Sequence, residues 1–325
     1  MKSGARIYVA GHRGLVGSAL TRGLAARGFH SVLTRSREQL DLRDPAAALD
    51  FFRSEQPEYL FLAAARVGGI RANSSQPADF IRDNLLIQAS VIDAAHRAGT
   101  RRLLFFGSNC VYPRDCPQPM REDAIHTGPM EPTSEAYSAA KLAGLAMCAA
   151  YNRQHGTEFL AVIPPTLYGP GAHFDAETAH VLPALMRRLH EAKARALQPA
   201  MAGAGSGRPE QPRVTVWGTG APVREFLYVD DLADASLFLA GLEGPLPESP
   251  INVGEGTGYS IRELAGRIAR VVGFDGEIDF DARQPDGAPR KVLDSGRIRA
   301  LGWSPRTTLD DGLRKTYAWF LESQC

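Results

Sequence analysis

Cysteine is scarce in this chain: four residues in 325, at positions 110, 116, 148 and 325. No two form a Cys-x-x-Cys pair, so neither a disulfide framework nor a thiolate metal site is expected. The thiols are read as reduced, and Cys116, Cys148 and Cys325 as small buried hydrophobes. An excess of charge of either sign is missing too. A formal net charge of +1 offers little to a nucleic acid or an anionic membrane, and neither is expected as a partner. No apolar run comes near the roughly eighteen residues of a membrane span. The opening "MKSGARIYVAGHRG" lacks the long apolar stretch and cleavage site of a signal peptide, and a cytoplasmic protein is expected.

What remains is ordinary globular composition, 44% hydrophobic and 22% charged, in a chain long enough for one large domain or two moderate ones. In the first half, short apolar runs alternate with amphipathic stretches. "RIYVAG", "HSVLTR", "YLFLAAA", "RLLFFGS" and "EFLAVIPP" read as strands. A stretch from about Leu15 to Arg27, "AAALDFFRSE", the long "ADFIRDNLLIQASVIDAAHRAG" ended by Gly99, and "SEAYSAAKLAGLAMCAAYNRQHG" read as helices. Strand and helix in alternation imply parallel pairing through right-handed crossovers. The expected fold is α/β, a doubly wound parallel sheet of Rossmann type.

After about Gly169 the rhythm breaks. A helix near "HVLPALMRRLHEAK" leads into "ARALQPAMAGAGSGRPEQPR", rich in Gly, Ala and Pro and read as a mobile surface loop. A strand "VTVWG", a helix "VDDLADASLFLA" and a strand "PINVGEG" able to rejoin the main sheet follow. "SIRELAGRIARVVG" and "LDDGLRKTYAWFLES" are helices near the end.

The segment "GHRGLVG" stands directly after the first strand and at the opening of a helix, and comprises Gly11, His12, Arg13, Gly14, Leu15, Val16 and Gly17. Gly11 allows a tight turn, Gly14 lets backbone approach a pyrophosphate, and Gly17 permits close helix–strand packing. The helix N-terminus then faces the phosphate charge, which points to a dinucleotide. A site preferring NAD usually carries an acid at the end of the second strand; here "VLTRSRE" has Arg35 and Arg37 and no acid before Glu38. With Arg13 in the glycine loop, two or three guanidiniums suit a 2′-phosphate, so NADP(H) is the expected cofactor. Exposed surface arginines are the alternative reading. Asp41 and Leu42 lie where an adenine ring could be edged.

Tyr137 and Lys141, in "YSAAK", share one face of a helix. An ammonium beside a phenol lowers its pKa and fits it to pass a proton to or from an alcohol oxygen. Ser108, at the end of the fourth strand, can donate to the same oxygen, and Cys110 stands two residues further on, in "FFGSNCVYP". Ligands of doubly wound sheets bind beyond the carboxyl ends of the strands, so this position favours a site.

Together "AGHRGLVGSAL", "LAAARVGGIRAN", "PADFIRDN", "GSNCVYP", "EPTSEAYSAAKLAG", "HVLPALMRRLHEA", "VWGTGAPVREFLYVDD" and "PDGAPRK" resemble the GDP-L-fucose synthase family of the extended short-chain dehydrogenases/reductases. The resemblance covers nearly the whole chain. It implies conversion of GDP-4-keto-6-deoxy-D-mannose to GDP-L-fucose by 3,5-epimerisation and NADPH-dependent 4-reduction. It also implies a GDP-sugar site and a homodimer joined through helices. Ser108, Tyr137 and Lys141 would be the reductive trio, Cys110 a general base and His180 a general acid. Pro164, Thr166, Leu167, Lys141 and His180 would border the cofactor, and Arg188, Trp217, Arg224 and Lys291 the GDP-sugar. On residues alone, His180 reads as a satisfied structural histidine and Trp217 as a core aromatic.

Residues 1–169, with a return segment at about 229–257, would form the NADP-binding domain. Residues 170–228 and 258–325 would form a smaller α/β substrate-binding domain. Thr166 in "PPTLYG" replaces the amide usual in the family, Asn109 replaces a small hydroxyl residue, and the loop at about 194–213 is longer than usual. Rival readings are another extended reductase or epimerase acting on a different nucleotide sugar, and a non-catalytic NADP-sensing module.

Overall fold

A computed structural model describes residues 1–2, 4–175, 179–201, 211–284 and 286–323. Six parallel strands form the main sheet. In space they run Val32–Leu33, Ile7–Ala10, Tyr59–Leu62, Arg102–Phe106, Glu158–Ile163 and Ile251–Asn252. "PINVGEG" does rejoin this sheet, as its last strand. The near-continuous apolar runs follow from burial on both faces, the usual condition of a parallel sheet.

Alternate side chains go to opposite layers. Tyr8, Leu60, Leu62, Leu103, Phe105 and Phe159 pack on one side in a core with residues of the helices Pro45–Glu55, Pro77–Arg97 and Glu135–His155. Ile7, Val9, Phe61, Leu104, Phe106, Leu160 and Val162 pack on the other with Leu15–Ala26 and Val229–Gly241. The fold is therefore the doubly wound α/β arrangement expected. The long helices stop where glycine allows it: Gly99 (φ 73°) follows Pro77–Arg97, and Gly156 (φ 65°) caps Glu135–His155.

A third core lies apart from this sheet. The helices Val181–Met201, Ile261–Val272 and Leu309–Ser323 contribute Leu182, Met186, Leu189, Ile268, Leu313 and Phe320. They cover two small sheets. In one, Val223–Tyr228 pairs with Gly258–Ser260, Arg290–Lys291 and Thr166–Tyr168; in the other, Arg213–Trp217 pairs with Glu277–Asp281. Ser260 and Glu263 cap the helix Ile261–Val272 reciprocally.

Two expectations need correction here. The helix beginning at Val181 continues to Met201, so the first part of the loop expected at 194–213 is helical. Ala194, Arg195, Ala196 and Leu197 are strong helix formers, and alanine was wrongly counted there with glycine and proline as a breaker. Residues 202–210 lie outside those described. Trp217 is not a core aromatic but 70% exposed, because it shares the outward face of Arg213–Trp217 with Arg213 and Thr215. Cys110, Cys116 and Cys148 are buried free thiols, while Cys325 lies outside the described residues.

Candidate active site

Each glycine of the first strand–helix turn does a different job. Gly11 adopts φ 83°, and a Cβ there would stand 2.7 Å from the Ala64 nitrogen. A Cβ on Gly17 would run into the Gly11 carbonyl oxygen, so the helix can approach the strand only without one. Gly14 is different: its nearest neighbour is the Gly11 oxygen at 3.4 Å, and it caps Leu15–Ala26 with no side chain bonded to the first amides. Those amides, with no acid in the first turn, remain available to an anion.

A cleft of about 510 Å³ opens from this turn, lined by Gly11, Gly14, Arg35, Arg37, Asp41, Leu42, Ala63 and Ala65 among others. The three cations expected at the 2′-phosphate are not equivalent. Arg35 pairs with Glu55 at 2.7 Å and lies over the Phe51 ring, so its charge is already committed. Arg37 and Arg13 are exposed and make no hydrogen bond or ion pair among the described residues. Among the described residues of this wall, Arg37 is therefore a cation that no ion pair commits. Asp41 binds Arg43 at 2.5 Å, which holds its carboxyl down at about 2, and Arg43 and Arg66 both reach Asp83. Neither Arg43 nor this ion-pair wall was foreseen, since its members come from three separate segments.

Gly14, Ala63 and Ala65 also border a second cleft of about 410 Å³. Into it the fold brings Ser108, Cys110, Tyr137, Lys141 and His180, and Leu15, Val16, Pro164, Thr166 and Leu167, expected to border the cofactor, line it too. Arg224 and Lys291 line it as well. Ser108 begins the short turn Asn109–Val111, and its Oγ accepts the Cys110 amide hydrogen at 3.3 Å. That turn places the hydroxyl and the thiol at one strand end. Arg188 and Trp217 are not part of this lining; Arg188 donates to the Thr215 carbonyl oxygen, on the strand that ends in Trp217.

Lys141 is buried and donates from Nζ to the Phe106 carbonyl oxygen at 2.7 Å, with Nζ 5.8 Å from the Tyr137 ring centre. Burial pulls its pKa down to about 8, a fall opposed by Cys110. The neighbouring ammonium does not lower the Tyr137 pKa as expected. Burial pushes that phenol well above its ordinary value, with Cys110 adding repulsion. The phenol is thus kept protonated, the state a donor to a carbonyl oxygen needs. His180, read from residues alone as a structural histidine, opens onto the cleft, where the surrounding walls displace water and lower its pKa.

Comparison with known proteins places this geometry. The model of the NAD dependent epimerase/dehydratase family matches residues 7–254. The chain is 49% identical over 321 residues to GDP-L-fucose synthase 1 of Arabidopsis thaliana, covering 99% of this chain and 94% of that protein. It is 47% identical to the GDP-L-fucose synthase of Escherichia coli K12, covering 98% and 97%. A crystal structure of a GDP-L-fucose synthetase from Naegleria fowleri bound to NADP superposes with a TM-score of 0.86 at 26% identity, covering 100% of this chain and 96% of the other.

Proposed function

Because the chain belongs to the NAD dependent epimerase/dehydratase family, and within it to the GDP-L-fucose synthases, we propose a division of labour among its cleft residues. The enzyme converts GDP-4-keto-6-deoxy-D-mannose to GDP-L-fucose, first as 3,5-epimerase and then as NADPH-dependent 4-reductase. The observation that carries the assignment of roles is the convergence of Ser108, Cys110, Tyr137, Lys141 and His180 on one cleft.

A 4-keto group acidifies the C–H bonds on carbons 3 and 5. Cys110, as thiolate, takes each proton from one face, and His180 returns one from the other. Ser108 donates a hydrogen bond to the oxygen that carries the enolate charge. In reduction, Tyr137 gives its proton to O4, and the Lys141 ammonium stabilises the phenolate left behind. NADPH, when bound, supplies the hydride. Gly11–Gly17 and the free amides of Leu15–Ala26 would hold its pyrophosphate, and Arg37 its 2′-phosphate. Arg224 and Lys291 offer charge to the diphosphate of the sugar nucleotide, with Arg188 and Trp217 at its guanosine end.

In this assignment residues 1–169 with 229–257 bind the cofactor, and 170–228 with 258–325 bind the GDP-sugar. The helices Pro77–Arg97 and Glu135–His155 pack together and leave Leu85 and Leu86 exposed, a face suited to a second copy in a homodimer. The setting is cytoplasmic: three described thiols are free, and among the described residues no helix is long and apolar enough to cross a membrane.

The test is to incubate enzyme, NADPH and the keto-sugar in heavy water and identify the product by NMR. GDP-L-fucose deuterated at carbons 3 and 5 is expected. Replacing Cys110 with Ser should slow that exchange by about 10²–10⁴. A reduced sugar with unchanged carbons 3 and 5 from the parent enzyme would reject the assignment.

A further inference from the structure

Among the described residues lining the reaction cleft, Glu131 is the sole carboxylate. An acid there calls for a reason, since the same cleft must receive a diphosphate. Its side chain is 16% exposed, and among the described residues no short hydrogen bond or ion pair holds it. The Thr133 hydroxyl donates to Oε1 at only 3.4 Å, and Arg114 Nε stays 3.9 Å from Oε2. A carboxylate partly shielded from water and weakly bonded has free lone pairs for a donor brought by the ligand.

The position of Glu131 selects that donor. It opens the turn Pro132–Ser134, which leads directly into the helix carrying Tyr137. Cys110, Thr133, Ser134 and Tyr137 line the same cleft beside it, and Lys291 feels Cys110, Arg224 and Glu131 together. Cys110 and Tyr137 act on the hexose in the assignment above, so the acid is read at the hexose end. Carbon 3 is inverted during the reaction and its hydroxyl changes face. Carbon 2 is untouched, and a fixed acceptor can hold its hydroxyl before and after epimerisation.

We propose that Glu131 accepts a hydrogen bond from the 2-hydroxyl of the GDP-bound 4-keto hexose and so selects hexoses that carry it. Resting on the substrate assignment above, this adds a specificity residue to the site without giving it a share in proton transfer. An acceptor that loses its donor when the ligand closes the cleft leaves the site an unpaired polar group, which is how a hydroxyl-binding site rejects the deoxy analogue.

The experiment compares GDP-4-keto-6-deoxy-D-mannose with its 2-deoxy analogue in the parent, Glu131→Gln and Glu131→Ala enzymes, following NADPH oxidation. The parent should lose about 10–100-fold in kcat/KM on the analogue, as expected for a hydrogen bond to a charged acceptor. Glu131→Ala should show a similar loss on the natural sugar and little further loss on the analogue, Glu131→Gln an intermediate one, and the KM for NADPH should stay constant in all three. Equal use of both sugars by the parent would overturn the proposal, and that comparison requires no variant to fold. So would losses in Glu131→Ala that multiply with removal of the hydroxyl, the mark of a merely electrostatic or structural acid. Failure of the parent on the natural sugar would instead reject the substrate assignment itself.

Discussion

The two clefts are built by different means. Around the glycine turn the base of the first is backbone, a glycine at positive φ, a helix N-terminus and the ends of neighbouring parallel strands, walled by the Arg43–Asp41 and Arg66–Asp83 pairs. In the second the chemistry is in side chains, Glu131, Tyr137, His180, Arg224 and Lys291, most of them delivered by segments far apart in the chain. A backbone surface cannot be altered without disturbing the fold that makes it. A side-chain surface can lose its chemistry while the fold persists. Substitutions in the glycine turn should therefore be read in stability and cofactor affinity, and those in the second cleft in turnover.

Tyr137→Phe is the sharpest test of the second half of that contrast. It removes one hydroxyl from a side chain packed edge-on against Phe80, so the fold should stand. Reduction should fall by about 10²–10⁴ while exchange of the protons on carbons 3 and 5 with heavy water continues. Loss of exchange together with reduction, in a folded enzyme that still binds the sugar, would break the division between the two chemistries. Gly17→Ala tests the first half. Its methyl group would strike the Gly11 carbonyl, and a loss on the order of 3 kcal/mol in urea unfolding is expected. Gly14→Ala meets nothing nearer than 3.4 Å and should leave unfolding almost unchanged while weakening NADPH binding. Equal stability loss in the two would erase the difference between a packing glycine and a binding one.

A smaller effect is expected at Arg37, a cation in the wall of the first cleft with no ion-pair partner among the described residues. Arg37→Ala should cost NADPH about 1.5–3 kcal/mol of binding and leave NADH almost unaffected. Arg35→Ala, by contrast, breaks a pair with Glu55 and should reduce stability more than selectivity. Titration of both variants with each cofactor separates the two arginines.

Much of the glycine turn was legible because its signal is local. Gly11, Gly14 and Gly17 announce a tight turn, an open helix N-terminus and a packing contact within a single strand–helix junction. Tyr137 and Lys141 are likewise joined by one helical turn. What a lone stretch cannot show is what a side chain meets in space. Arg35 and Arg37 look alike in sequence, and only the arrival of Glu55 from the following helix distinguishes them. Glu225 is another case: its buried carboxyl accepts the Gly256 and Leu293 amides, both at 2.7 Å, and burial raises its pKa to about 7. Nothing near Glu225 in the chain announces either partner. The aromatic Trp217 and the alanine-rich end of Val181–Met201 were misread for a related reason. Residue type was weighed there without knowledge of which face, or which neighbour, the segment would find.

The second cleft can also be probed through pH. Lys141 is a cation below pH 8 and loses its proton as pH rises through about 8, because burial disfavours its charged form. In the mechanism proposed above, reduction needs that charge to stabilise the Tyr137 phenolate. On the alkaline side kcat/KM should therefore fall by about tenfold per pH unit. Stability should move in the opposite sense. In the unfolded chain the lysine keeps its proton up to its ordinary value of 10.5, so between pH 8 and 10.5 the unfolded state binds more protons than the folded one. Raising the pH through that window therefore favours folding at this group, by up to about 3 kcal/mol. Other groups titrate there as well. Cys148, pushed up to about 12 by burial, acts the other way above pH 9. The contribution of Lys141 is isolated by comparing urea midpoints of the parent and Lys141→Met across pH 7–10. The parent should gain on the variant as pH rises, while its own reduction declines. If the two stability curves stayed parallel, or if reduction held constant to pH 10, the lysine would not be the buried, depressed cation on which the second cleft depends.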